Sequence, residues 1–224
     1  GIELCYQTFG DPADEPLLLV MGLGGPMTWW DPDLCAALAR AGFYVVRYDN
    51  RDTGRSTVLE GKVARSTLVR AFTGRRVRVP YRLADLADDA FALMDHLGFE
   101  SAHVYGVSMG GMIVQTMATT RPERLRSMTS MMSSTGKKTV GWQHPSVLPL
   151  LLAGRKPGRA AYVASSVAVW QRIGSPAYPQ SRERLEARAG DTYDRGVSDA
   201  GVMRQMLAVL TQTNRTVRLR GVRV

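Results

Sequence analysis

Apolar and polar residues alternate from Glu3 to Phe9, the period of two expected of a half-buried strand, and Gly10-Asp11-Pro12 follows with turn chemistry. Leu17 to Met21 is a continuous apolar run, which suits a strand covered on both faces. The glycine loop Gly22-Leu23-Gly24-Gly25-Pro26 comes next. Pro32 to Ala41 predicts a short helix closed by Gly42, and Tyr44 to Tyr48 predicts another strand, ending at Asp49. Arg51 to Pro80 is loop-rich. Leu83, Leu86, Ala87, Ala90, Leu93, Met94 and Leu97 then share one helical face. His103 to Val107 reads as a strand, Ser108 opens a helix running to about Thr120, and Leu125 to Met132 reads as a further strand. Strands alternating with helices predict an α/β fold, with a mostly parallel, doubly wound sheet covered on both faces.

The texture changes after Ser133. Residues 134 to 214 show no convincing strand, and short amphipathic pieces span Ser146 to Ala153, Gly158 to Ile173, Gln180 to Asp194 and Asp199 to Thr213. This predicts a helical cap over the carboxyl ends of the strands. Val217 to Val224 resembles the start of another strand. The expected organisation is an N-terminal part of the core at 1–133, the cap at 134–214, and a lead-in to the remaining core strands at 215–224.

Composition narrows the classes. Hydrophobic residues make up 45% and charged residues 22%, ordinary values for a chain with a buried core. No apolar run approaches the roughly 20 residues of a membrane-spanning helix, and no signal peptide is visible, so a cytoplasmic protein without a membrane partner is expected. The net charge is +9, yet the basic residues are dispersed apart from Arg75-Arg76-Val77-Arg78 and the run Arg215 to Arg223. No aromatic residues interleave with them, which argues against nucleic-acid binding. Cys5 and Cys35 form no disulfide framework, and His96, His103 and His144 are too scattered for a metal site. No metal or other cofactor is expected.

One motif carries chemistry. Gly106-Val107-Ser108-Met109-Gly110 fits G-x-S-x-G between a predicted strand and a predicted helix. A nucleophile on so sharp a turn sits in strained backbone, and side chains two positions either side would collide, so glycine is needed at 106 and 110. The Met109 N–H and the helix start then point at a developing oxyanion. Gly22 and its loop end the earlier buried strand, and loops at the carboxyl ends of strands gather around one site in a doubly wound sheet. That makes the Leu23 N–H the candidate second donor. Asp49-Asn50-Arg51-Asp52-Thr53-Gly54-Arg55-Ser56 mixes carboxylates with arginines and reads as structural support for the mouth of the site, through Asp49 and Arg51.

With these motifs in order, the chain resembles the α/β-hydrolase superfamily. Phe9-Gly10-Asp11-Pro12-Ala13-Asp14, Leu18-Leu19-Val20-Met21-Gly22, Arg47-Tyr48-Asp49-Asn50-Arg51-Asp52-Thr53-Gly54-Arg55-Ser56 and His103-Val104-Tyr105-Gly106-Val107-Ser108-Met109-Gly110 narrow it to the aclacinomycin methylesterase-like branch, whose members cleave a methyl ester on a polyketide. The resemblance is close from about residue 2 to 132 and looser through the helical part. It implies Ser108 as nucleophile, with Leu23 and Met109 as oxyanion donors. It also implies an acid after a strand beyond the cap and a histidine later still, and no residue of the present sequence matches either. His96 and His103 are expected to be structural, and His144 lies in the predicted cap.

The expected function is therefore hydrolysis of a small or medium hydrophobic carboxylic ester through an acyl-enzyme at Ser108, with turnover impaired in the chain as written. The alternative is a catalytically inactive fragment or a non-catalytic binding protein on the hydrolase scaffold. Cofactor-free haloperoxidases and C–C bond hydrolases also keep the serine. Dehalogenases and epoxide hydrolases, with aspartate at that position, do not fit.

Overall fold

The computed structural model describes residues 1–141 and 157–224. Five strands, β1 (Tyr6–Phe9), β2 (Glu15–Val20), β3 (Phe43–Tyr48), β4 (Ala102–Val107) and β5 (Leu125–Met131), form one sheet in the order β1-β3-β2-β4-β5. Only β1 runs antiparallel to its neighbour. The mostly parallel sheet expected from the sequence is the one observed. Around it lie α1 (Pro32–Arg40), α2 (Arg65–Phe72), α3 (Leu83–His96) and α4 (Met109–Thr120).

The run Leu17 to Val20 is apolar at every position because both of its faces are covered. Leu17 and Leu19 pack with Val45 and with Cys35 and Leu38 of α1. Leu18 and Val20 turn the other way, with Val46, Tyr48 and Val104, onto the apolar faces of α3 and α4. Each such side chain contributes about 1.5–3 kcal/mol on burial. Asp31 caps α1 by accepting from the Asp33 N–H at 2.9 Å, and Pro32 occupies the first turn, where a missing N–H costs nothing. Asp85 caps α3 by reaching back to the Arg82 N–H at 2.7 Å.

Three elements depart from the sequence pattern. β1 begins at Tyr6 rather than Glu3, because the Glu3 and Cys5 amides donate to Thr57 Oγ1 (2.8 Å) and Ser56 Oγ (2.9 Å) instead of to a strand. The loop-rich stretch contains α2, which buries only Ala71 and so shows no apolar stripe. Val217 to Val224, expected to start a strand, instead begins within a short helix α8 (Thr216–Leu219, numbered after the helices below) and runs on through a turn. Its bonds are local, Leu219 N to Arg215 O at 2.9 Å and Val222 N to Leu219 O at 3.3 Å, and the alternation of arginine with apolar residues there reflects an exposed helical turn. The expected helix at 146–153 and His144 lie outside the described residues.

The chain divides into two compact units, Gly1–Val140 with Ser198–Val224, and Gly141–Val197. In the second, α5 (Arg159–Ile173) and α6 (Arg182–Arg195) pack through Tyr162 and Tyr193, whose rings lie 5.6 Å apart, and Arg159 grips Asp194 with two nitrogens. Between residues 157 and 214 the regular elements are helices, where the sequence predicts amphipathic pieces at Gly158 to Ile173, Gln180 to Asp194 and Asp199 to Thr213. Helix α7 (Asp199–Leu210) and α8 belong to the first unit. Among the described residues no helix is long and apolar enough to cross a membrane.

An ion pair holds α7 in that first unit. Arg204 Nε donates to Asp52 Oδ2 at 2.9 Å and Nη2 to Oδ1 at 2.7 Å, with both side chains buried. Tyr81 Oη (2.7 Å) and the Leu59 N–H (2.8 Å) also donate to Asp52. Burial alone raises the Asp52 carboxyl, but these donors overcome it and hold it below its ordinary value. A depressed folded-state value makes Asp52 stabilising above its unfolded value of about 3.9, and that contribution is lost as pH falls through the folded one. Arg204→Met, which strands the buried carboxylate, is expected to cost about 3–5 kcal/mol at neutral pH in denaturant unfolding. The loss should shrink on acidification, and Asp52→Asn in the same chain should recover part of it.

Candidate active site

Three loops leave the carboxyl ends of adjacent strands, β3, β2 and β4: the glycine loop after β2 meets Ser108 after β4, and the loop after β3 bonds to the residues on either side of the glycine loop. Ser108 has φ 57° and ψ −117°, a conformation that side chains rarely adopt, and it caps the start of α4. Its N–H donates to Met131 O at 2.9 Å, so strand β5 holds the turn from one side. The hydroxyl is partly exposed.

Glycine is required here by close approach of backbone to backbone. A Cβ on Gly106 would collide with the Gly110 carbonyl and come within 2.7 Å of Gly111 N. A Cβ on Gly110 would collide with Val20 O and lie 2.9 Å from Met21 O. Gly22 lies directly against the serine: a Cβ there would be 3.1 Å from Ser108 Cβ and 3.6 Å from Ser108 Oγ. The glycine loop and the hydroxyl are thus neighbours, as the two motifs predicted separately.

The amides follow from this packing. Met109 is the first residue of α4, so its N–H has no acceptor within the helix. In the glycine loop the Gly25 N–H donates to Gly22 O (3.2 Å) and the Gly24 N–H to Gln205 Oε1 (2.8 Å). Among the described residues the Leu23 N–H, between them, meets no acceptor.

Asp49 is wholly buried and serves as a brace. Its Oδ1 accepts from the Met27 N–H (2.7 Å) and its Oδ2 from the Arg55 N–H (3.0 Å), so it ties the glycine loop to the 51–56 loop. Gly54, at φ 57°, folds over the carboxylate so closely that a Cβ would overlap it. Arg51 points elsewhere. It grips Asp89 through Nε and Nη2, both at 2.6 Å, and lies over the Tyr81 ring. Burial works against its charge, and Asp89 more than offsets this, holding the guanidinium above its ordinary value.

The sequence pattern did not reveal Arg204 or Gln205 as parts of this region, nor the bond that Asn50 makes within it. Asn50 Nδ2 donates to Met21 O at 3.0 Å, just before Gly22. Gln205 Nε2 donates to Arg51 O and Thr53 Oγ1, both at 2.8 Å. The available signal was a polar pair, Arg204-Gln205, set inside the apolar run Val202 to Leu210.

Neither described histidine neighbours Ser108 in the fold: His103 lies at the far end of β4, and His96 lies against β1, the edge strand three steps from β4. His103 is five residues before Ser108 on the strand leading to it, about 16 Å along an extended chain. Its Nδ1 pairs with Ser127 Oγ at 2.7 Å. His96 ends α3 and meets the Tyr6 ring edge-on. Among the described residues no group of three or more His, Cys, Asp or Glu side chains forms a metal-binding set.

The profile of the alpha/beta hydrolase fold matches residues 15–168. The chain belongs to that family. Its sheet of five strands is smaller than the family's complete sheet of eight. Rhodomycin D methylesterase DauP of Streptomyces sp. strain C5 is 37% identical over 131 residues, which cover 58% of this chain and 39% of DauP. DnrP of Streptomyces peucetius, also named a rhodomycin D methylesterase, matches to the same extent. The chain therefore spans well under half the length of these relatives. In fold it resembles the enol-lactonase from Burkholderia xenovorans LB400 (TM-score 0.69, 21% identity, covering 100% of this chain and 75% of that one). It also resembles a hydrolase from Pseudomonas aeruginosa PA01 (TM-score 0.67, 24% identity, 100% and 74%).

Two substitutions separate the roles of these residues. Ser108→Ala is expected to change stability by no more than about 0.5 kcal/mol, since no hydrogen bond from the hydroxyl caps α4. Gly106→Ala should cost about 3 kcal/mol, because only backbone can yield to the new methyl group. Thermal unfolding of both variants beside the parent checks the pair.

Proposed function

We propose that this protein is a serine hydrolase of carboxylic esters that forms an acyl-enzyme on Ser108. The observation that carries the proposal is the strained Ser108 turn at φ 57°, ψ −117° with Gly22 packed against its hydroxyl. Loss of the hydroxyl proton lets Oγ attack the ester carbonyl, whose π electrons move onto oxygen. The Leu23 and Met109 N–H groups, with the positive end of α4, receive that oxyanion. Collapse of the intermediate expels the alcohol with a proton, and water then cleaves the acyl–serine bond.

The methylesterase names of DauP and DnrP favour a methyl ester of a hydrophobic acid as the substrate class. Asp49 and Arg51 are assigned to support: Asp49 braces the glycine loop and Arg51 secures the neighbouring loop to α3. His103 stands at the far end of β4 and His96 lies against the edge strand β1, so neither is placed as the base for Ser108, and slow turnover is expected of residues 1–224 as written. Oxyanion donors alone leave a residual acceleration of about 10³–10⁴ over water in serine hydrolases that lack a triad member.

A fluorophosphonate probe should label Ser108, located by mass spectrometry, and Ser108→Ala should abolish both labelling and nitrophenyl acetate hydrolysis. Added imidazole should raise the hydrolysis rate by an increment that requires Ser108. Labelling elsewhere, or hydrolysis unchanged in Ser108→Ala, would overturn the assignment. A folded chain that binds esters without any labelling would point instead to a non-catalytic binding protein.

A further inference from the structure

The glycine loop is held by a side chain 181 residues away. Gln205 of α7 is wholly buried, its Oε1 accepts from the Gly24 N–H at 2.8 Å, and its Nε2 donates to Arg51 O and Thr53 Oγ1 at 2.8 Å. One carboxamide thus satisfies groups on the glycine loop, which lies against Ser108, and on the loop after β3. The same helix touches the loop a second time: Val202, three residues earlier, fills the space beside Gly24, where a Cβ would lie 2.9 Å from its Cγ2. The helix is fixed in turn by the buried Arg204–Asp52 pair beside Gln205.

An oxyanion donor acts only if its direction is set before the reaction, to within about half an ångström. The Leu23 N–H belongs to the peptide unit next to the one that Gln205 holds. Without Gln205 the half-buried Gly24 N–H loses its acceptor, and an amide shielded from water without a partner drives the loop to turn until it finds one. Gly24, at φ 63°, and its glycine neighbours offer little resistance to such a turn. The Leu23 N–H turns with them.

We infer that Gln205 is a positioning residue for the oxyanion site, setting the direction of the Leu23 N–H through Gly24. The inference rests on the assignment of Ser108 as nucleophile. Its effect belongs to the bond-forming step, in which the phosphoryl oxygen of a fluorophosphonate takes the place of the ester oxyanion.

The test follows phosphonylation of Ser108 across probe concentrations in the parent, Gln205→Leu, Gln205→Glu and Ser198→Ala, with thermal unfolding of each. Ser198 caps the start of α7 by accepting from the Gly201 N–H at 2.9 Å, so its loss weakens the same helix away from the glycine loop. Gln205→Leu is expected to lower the maximal phosphonylation rate by about tenfold or more, with half-saturation little changed. Ser198→Ala should lower the unfolding temperature and keep the parent rate. Gln205→Glu retains an acceptor for Gly24 and should fall between Gln205→Leu and the parent. Equal rates in Gln205→Leu and the parent, or rates that track stability across all variants, would overturn the inference. Should Gln205→Leu fail to fold, Gln205→Met, which keeps the length of the side chain and removes the acceptor for Gly24, decides: a slowed maximal rate supports the inference and a parental one overturns it. A parent that is never labelled at Ser108 refutes the nucleophile assignment and this inference with it, whereas a labelled parent with an indifferent Gln205→Leu refutes the inference alone.

Discussion

Where β4 turns into α4, backbone passes backbone with no room for a methyl group. Gly106 lies against Gly110, Gly110 against the end of β2, and Gly22 against Ser108. This crowding draws the helix start onto the ends of two strands, and it does so only if Ser108 accepts a positive φ. The strain of such a residue, of order 1–3 kcal/mol, is tolerated because the surroundings over-determine it: β5 accepts its amide, and α4 buries Ile113, Val114 and Met117 in the core.

Two buried carboxylates one turn apart in sequence do different work. Asp49 accepts from backbone amides on two loops and so joins the glycine loop to the loop after β3. Asp52 carries its charge to a guanidinium on a distant helix. Amide donors fix the position of a loop at short range, and the ion pair fixes a whole helix. A buried pair of this kind gives little net stability against an apolar replacement, but removing one partner is costly, so it enforces one arrangement over others. That is the useful property for a helix that must present Gln205 at the right height.

Much of the fold was legible because its signals are local. The run Leu17 to Val20 announced a strand with two covered faces, and the seven-residue stripe on α3 announced its buried side. The G-x-S-x-G turn was legible for the same reason, since five consecutive residues carry both its chemistry and its steric requirement. What escaped was non-local. Nothing near Asp52 shows that its partner is Arg204, and an arginine–glutamine pair in an apolar helix has the same pattern as a solvated strip until the chain is folded. The alternation at Val217 to Val224 misled because strand periodicity has meaning only where a neighbouring strand exists to complete the ladder, and there the bonds are made within the turn itself.

The site divides into parts made of backbone and parts made of side chains, and the two depend on the sequence differently. The amides of Leu23 and Met109 are present whatever residues stand at 23 and 109, so their chemistry survives substitution there. Their directions do not come from those residues either. They come from Gly22, Gly106 and Gly110, which permit the approach, and from Asp49 and Gln205, which hold the loop once it is made. The proton acceptor that the proposed reaction requires for Ser108 is the opposite case, a side chain whose identity is everything. The geometry that would receive an oxyanion in the proposed reaction is therefore built separately from the side chain that would make the hydroxyl reactive. Under the proposed reaction, geometry of this kind marks where acyl transfer would occur, and its rate would rest on the proton acceptor.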